Sequence, residues 1–292
     1  MTDTPFQGLM AFPITPTDAA GQVLEAPLAV MLDRLRAAGV GSVGLLGSNG
    51  GYAYLTPETR SRVLAVATEV LGGAVPLVVN VGAIRTDMAM ALAREAEAAG
   101  AQGLLMAPVS YTPLTEAEVQ VHYASVAGAA GLPLCIYNTP ATTGFTFGDA
   151  LLARLAEVPN VAAVKMPPPA GAVAEDLARL RAALPDSFAI GYSGDWIGAE
   201  ALAAGADAWF AVAAGLLPGP VMELAAAAQA GRTRAEDRFA PLWALFREYG
   251  SFRVMFGIAR LMGLADCDPP RPILPIPEAA LPRLEAALGA IS

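Results

Sequence analysis

Apolar residues recur along this chain in two alternating patterns. Short, nearly continuous apolar runs occur at 8–15 (GLMAFPIT), 42–48 (SVGLLGS), 76–82 (PLVVNVG), 103–108 (GLLMAP), 133–138 (PLCIYN), 161–167 (VAAVKMP), 188–194 (FAIGYSG) and 207–214 (DAWFAVAA). Runs of this length without strict alternation predict parallel strands buried on both faces. Between them the apolar spacing lengthens to the helical period, at 24–39, 56–73, 85–100, 114–131, 146–157, 173–184, 196–205 and 219–230. The helix ends are marked chemically. Thr56 followed by Pro57 is an N-cap with proline at the first helical position, and Thr115 with Glu118 spells a capping box. Gly39 and Gly100 stand at helix stops just before the next strand.

Eight strand–helix units predict an α/β protein, a closed (β/α)8 TIM barrel over residues 1–230. An open doubly wound sheet is the rival, but it calls for a glycine-rich nucleotide loop after the first strand. The segment there reads TPTDAAGQ, without that pattern. After residue 230 the strand pattern stops. Helices are expected at 233–249, 251–265 and 278–290, with a proline-rich connection between the last two. Residues 231–292 therefore read as a C-terminal helical extension packed on the barrel.

Composition narrows the function. The 292 residues are 55% hydrophobic and 15% charged, which suits one large core. A net charge of −9 with no basic stripe argues against nucleic-acid binding. No apolar run is long enough to span a membrane, and MTDTPFQG does not read as a signal peptide, so a cytoplasmic location is expected. Cys135 sits in an apolar run and reads as a buried free thiol; with Cys267 it does not make a disulfide framework. One histidine, His122, reads as a helix-surface or interface residue. With two distant cysteines it leaves no basis for a zinc site or a Ser–His–Asp triad.

One count changes the picture. Of 18 basic residues, a single one is lysine, Lys165. Arginine stays protonated and cannot serve as an amine nucleophile. Lys165 lies near the C-terminal end of the sixth strand, the end where barrels carry their chemistry. Strand alternation puts Val161, Ala163 and Lys165 on one face, pointing into the barrel mouth. Poor solvation there favours a neutral amine, which attacks ketones to give an imine. A strand-end lysine can also simply snorkel to solvent; its being the sole lysine favours chemistry. Tyr137, at the end of the fifth strand with inward parity, supplies a phenol able to relay protons beside that amine. The turn GSNGG (47–51) after the second strand can cradle a carboxylate with its amides and with Ser48, Asn49 and Gly50, although such a turn is often only a turn. In GYSGD (191–195), Ser193 and Gly194 are candidate pocket-lining residues.

Together these elements resemble the dihydrodipicolinate synthase / N-acetylneuraminate lyase family of class I aldolases. The likeness covers GLMAFPITP, GSNGG, YTPLTEAEV, YNTPATTG, the strand bearing Lys165, GYSGD and the helical tail. It implies that Lys165 is the Schiff-base lysine, that Tyr137 relays protons, and that Ser48 and Asn49 hold the carboxylate of a 2-oxo acid such as pyruvate. It also implies that no metal or organic cofactor is needed, and that the chain assembles as a homotetramer or homodimer. Three departures stand out. Gly51 replaces the acid that usually closes the carboxylate turn, and Asn49 replaces its second hydroxyl residue. Thr142 occupies the place of the arginine that binds the aldehyde's carboxylate in true dihydrodipicolinate synthases. Ser110, beside Tyr111, stands where those synthases carry a tyrosine that crosses a subunit interface. The expectation is therefore a lyase or aldolase joining a 2-oxo acid to an aldehyde, not a true dihydrodipicolinate synthase. The alternatives are a dehydratase of a deoxy-oxo sugar acid using the same imine, and a non-catalytic 2-oxo acid binding protein.

Overall fold

A computed structural model of the protein describes residues 4–291. Eight parallel strands close a barrel in sequence order: β1 (Gly8–Ala11), β2 (Ser42–Leu45), β3 (Leu77–Asn80), β4 (Gly103–Met106), β5 (Leu134–Tyr137), β6 (Val161–Met166), β7 (Ala189–Tyr192) and β8 (Ala208–Ala211), with β8 pairing back on β1. The intervening helices are α1 (Glu25–Ala38), α2 (Pro57–Leu71), α3 (Thr86–Ala98), α4 (Glu116–Ala127), the single turn α5 (Pro140–Thr143), α6 (Asp149–Ala156), α7 (Val173–Ala183), α8 (Asp195–Ala203) and α9 (Pro218–Gln229). Three more follow: α10 (Ala240–Tyr249), α11 (Ser251–Leu261) and α12 (Leu281–Ile291). Every expected unit is present. The strands are shorter than their apolar runs, because each run continues past its last ladder pair into the loop that builds the mouth.

Two apolar layers explain why the strands carry no polar face. The outer layer packs strand residues such as Val43, Leu45, Leu104 and Val164 against helix residues such as Leu32, Val63 and Leu155. The inner layer fills the barrel with Met10, Phe12, Val78, Leu105, Cys135, Tyr137, Ala163, Ala189, Ala208 and Phe210. The rings of Phe12 and Phe210 fit because the adjacent strands are bare. A Cβ on Gly44 would lie 2.3 Å from the Phe12 ring, and one on Gly191 would lie 2.5 Å from Phe210.

The parity expected along β6 holds only in part. The β5–β6 register slips, pairing Leu134 with Val161 and Cys135 with Ala163, so that Ala162 is an extra residue. This bulge turns Val161 out to the helix layer while Ala163 stays inside. Beyond the bulge alternation resumes, and Lys165 shares the inward face with Ala163.

Candidate active site

Lys165 sits inside the barrel mouth, 3% exposed. Its Nζ lies 4.1 Å from the centroid of the Tyr137 ring, 4.2 Å from that of Phe12 and 5.4 Å from that of Phe210. Three aromatic faces thus line a single amine. Each such contact stabilises a cation by about 0.5–2 kcal/mol, and the rings exclude water from the nitrogen. Small Ala163, Ala189 and Ala208 below leave the room.

Register brings the phenol alongside: Tyr137 pairs directly with Lys165 across β5–β6. The Tyr137 hydroxyl is 3.2 Å from Ser48 Oγ. Burial alone would push the Tyr137 phenol up, but the Lys165 charge and hydrogen bonds with Ser48, Thr139 and Lys165 outweigh it and hold its pKa below the ordinary tyrosine value. A phenol so poised gives up its proton more readily than a free tyrosine, which suits a proton relay. Lys165 of β6, Tyr137 of β5 and Ser48 of the turn after β2 therefore lie around one place.

The rest of the turn is only partly as expected. The amides of Ser48, Asn49 and Gly50 donate to no acceptor among the described residues, whereas the Gly51 amide closes the turn onto the Ser48 carbonyl at 3.1 Å. Three successive N–H groups without an acceptor are the raw material of an anion cradle. The Asn49 side chain, however, is buried and engaged with Ser251 at the start of α11: Asn49 Nδ2 and Oδ1 each lie 3.3 Å from Ser251 Oγ. It is its amide, not its carboxamide, that remains for a ligand. The bare Gly51 is explained by the same helix. A Cβ there would meet Phe252 at 3.4 Å and Pro270 at 3.5 Å, and its φ of 65° suits glycine. The C-terminal extension thus packs against the Gly51 side of the turn.

Gly194 lies beside the loop that follows Lys165: a Cβ would stand 2.4 Å from Pro168 Cγ. Ser193 is committed to structure, since its amide and hydroxyl both donate to the Met166 carbonyl, at 2.8 and 3.0 Å. The residue that sequence reasoning passed over is Asp195. It is 2% exposed and accepts from Ala213 N (2.6 Å), Val212 N (3.0 Å) and Trp209 Nε1 (3.3 Å). Burial raises its pKa to about 6, against the lowering pull of those donors and of the Lys165 charge. Its signal was available: an acid directly after Ser193-Gly194, opening a helix. Phe12 and Phe210 had no signal beyond apolarity.

Thr142 is exposed and bonds Thr139 through both hydroxyls at 2.8 Å. Tyr111 is 95% exposed. Of the two positions expected for His122, helix surface or interface, the surface one does not hold: it is 7% exposed, bonds Thr86 through Nδ1 at 2.9 Å, has its pKa lowered by burial, and lines a groove beside α3 and α4. The helical period fits a surface site, but α3 packs over that face. Both cysteines are buried free thiols. Among the described residues no group of three or more His, Cys, Asp or Glu could hold a metal ion, and no helix is long and apolar enough to cross a membrane.

Comparison with known proteins matches the model of the dihydrodipicolinate synthetase family to residues 5–291. A 4-hydroxy-tetrahydrodipicolinate synthase of Salinibacter ruber is 33% identical over 243 residues, covering 82% of this chain and 79% of that one. A protein of the same description from Acidiphilium cryptum is 30% identical and covers 97% of each chain. Among solved structures, a dihydrodipicolinate synthase from Agrobacterium tumefaciens superposes with a TM-score of 0.97, at 55% identity over 99% of both chains.

Proposed function

The chain belongs to the dihydrodipicolinate synthetase family and is a class I, Schiff-base-forming lyase; from that premise we propose that Lys165 condenses with pyruvate or a related 2-oxo acid and that the resulting enamine reacts with an aldehyde. The observation that carries this is the buried Lys165 amine, 4.1 Å from the ring of a phenol that itself bonds Ser48.

The steps follow from that arrangement. The amine lone pair attacks the C2 carbonyl, and Tyr137 protonates the departing hydroxyl as the carbinolamine loses water. The imine draws electrons from C3. Loss of a C3 proton gives an enamine, whose C3 bonds to the aldehyde carbon while the aldehyde oxygen takes a proton. Water then releases the product and regenerates the amine. The amides of Ser48, Asn49 and Gly50, with the Ser48 hydroxyl, hold the 2-oxo acid's carboxylate. Gly194 leaves the loop after Lys165 room to line the second half of the pocket. The imine is its own electron sink, so neither metal nor organic cofactor is invoked.

The relatives are described as synthases of a dicarboxylate, but the second substrate proposed here is different. Thr142 is exposed and offers a neutral hydroxyl where the family resemblance implies an arginine, so an aldehyde's carboxylate would find no cation there. An aldehyde without that carboxylate fits better. The test is product analysis with pyruvate and a panel of neutral and acidic aldehydes. Faster turnover of neutral aldehydes is expected. Preference for aspartate semialdehyde would overturn the substrate reading, and loss of water from a sugar acid without carbon–carbon cleavage would make the enzyme a dehydratase.

Self-association as a homodimer or homotetramer is also proposed. Ile84 (68% exposed) and Val121 (66%), with Val109 and Leu114, line a groove of about 430 Å³ beside α3 and α4, the kind of patch that a second copy covers. The free thiols suit a reducing compartment, and the cytoplasm is the proposed location.

A further inference from the structure

We infer that Asn80 is a positioning residue for 2-oxo acid binding: its side-chain amide holds the Leu46 carbonyl and so sets where the carboxylate turn begins. This rests on the carboxylate-holding role proposed above for the turn at Ser48.

The β2–β3 ladder ends at the pair Leu45–Val79. One step further the two chains would pair Leu46 with Asn80, but Leu46 has swung to φ 58°. A left-handed backbone costs a non-glycine residue about 1–2 kcal/mol and persists only where its surroundings hold it. What holds it is Asn80. This residue is 0% exposed, and its Nδ2 donates to the Leu46 carbonyl at 2.8 Å. Its Oδ1 accepts from Gly82 N at 3.0 Å, so both ends of the carboxamide are fixed. The backbone around it is fixed in turn by the buried Arg60, whose Nη2 donates to the Asn80 carbonyl at 2.6 Å and Nη1 to the Gly82 carbonyl at 3.1 Å.

The turn has no slack to absorb a shift at Leu46. A Cβ on Gly50 would lie 3.0 Å from Leu46 Cα and 3.1 Å from Gly47 N, so the far side of the turn presses on Leu46 itself. A Cβ on Gly47 would lie 2.6 Å from the ring of Phe12, the ring that Lys165 faces. Between these two contacts stands Ser48, bonded to Tyr137. A displaced Leu46 carbonyl therefore moves the three cradle amides relative to Lys165.

The experiment measures the pyruvate concentration that half-saturates borohydride trapping, with the trapped fraction at saturation, for full-length Asn80→Ala, Asn80→Asp and Ser48→Ala. Half-saturation is independent of how many molecules are folded, so a purely structural residue would leave it unmoved. Both Asn80 variants should raise it about tenfold, as loss of one buried hydrogen bond would, with the saturated trapped fraction of folded protein retained. Asn80→Asp retains the volume if Asn80→Ala does not fold. It adds a second readout: a protonated carboxyl can again donate to Leu46, so its half-saturation, relative to the parent at the same pH, should fall toward the parent's value as pH is lowered. An unchanged half-saturation in Asn80→Asp, with Ser48→Ala raised, overturns the role of Asn80 alone. An unchanged Ser48→Ala overturns the carboxylate reading of the turn instead.

Discussion

The proposed role of Lys165 rests on one amine surrounded by three rings, one of them the Tyr137 phenol. The phenol's part is separable. Tyr137→Phe keeps the ring that faces Lys165 but removes the hydroxyl that protonates the carbinolamine, so the rate of imine formation and turnover should both fall, by about 10²–10⁴-fold. Single-turnover trapping rates set beside steady-state kcat check this; an unchanged trapping rate would remove Tyr137 from the dehydration step, and a raised half-saturating pyruvate concentration with an unchanged rate would assign it to binding. Much of this was legible from single residues. One lysine among eighteen cations, at a strand end, with an inward tyrosine on the preceding strand, pointed to two residues that the fold brings side by side. The Asn49 side-chain contact was not legible because its partner, Ser251, lies about two hundred positions away and no local pattern announces it. Asp195 was missed because its three donors come from β8 and the loop after it.

Elements set what those residues can do. The eight units were readable from apolar periodicity, since strands buried on both faces and helices with one apolar stripe leave distinct records. The bulge at Ala162 was not, because inner and outer layers are both apolar and Val161 satisfies either. Two predictions belong here. Gly194, at φ 87° and ψ 93°, opens α8 beside Pro168. Gly194→Ala should cost about 1–3 kcal/mol of stability from backbone strain alone and slow trapping by displacing the loop after Lys165; thermal denaturation and trapping rate check both. Asp195 ties α8 to β8 and titrates near pH 6 in the fold against an ordinary 3.8. Between those values the folded protein keeps a proton that the unfolded chain has released. This group therefore favours the fold most at and below its unfolded pKa, and that contribution is lost as pH rises through about 6. The melting-temperature difference between parent and Asp195→Asn should change across that window and be flat above it.

At the scale of the molecule, the C-terminal helices pack against the turn of the candidate site. Ser251 and Phe252 close on the turn at Asn49 and Gly51, and Arg247 of α10 stacks over Trp196 of α8 at 5.6 Å. The sequence pattern identified these helices but not what they cover, since helical periodicity says which face is apolar and nothing about its partner. The opposite concern, the groove beside α3 and α4, predicts assembly. Val121→Glu should shift the protein toward monomer in sedimentation velocity, and an unchanged sedimentation coefficient would place the interface elsewhere. The most direct test of the whole account is borohydride reduction in the presence of pyruvate, followed by peptide mass mapping of the parent and Lys165→Arg. A single reduced pyruvyl adduct on the peptide containing Lys165, absent from a folded Lys165→Arg protein, is the predicted result. Turnover of pyruvate with no adduct on that peptide would contradict it.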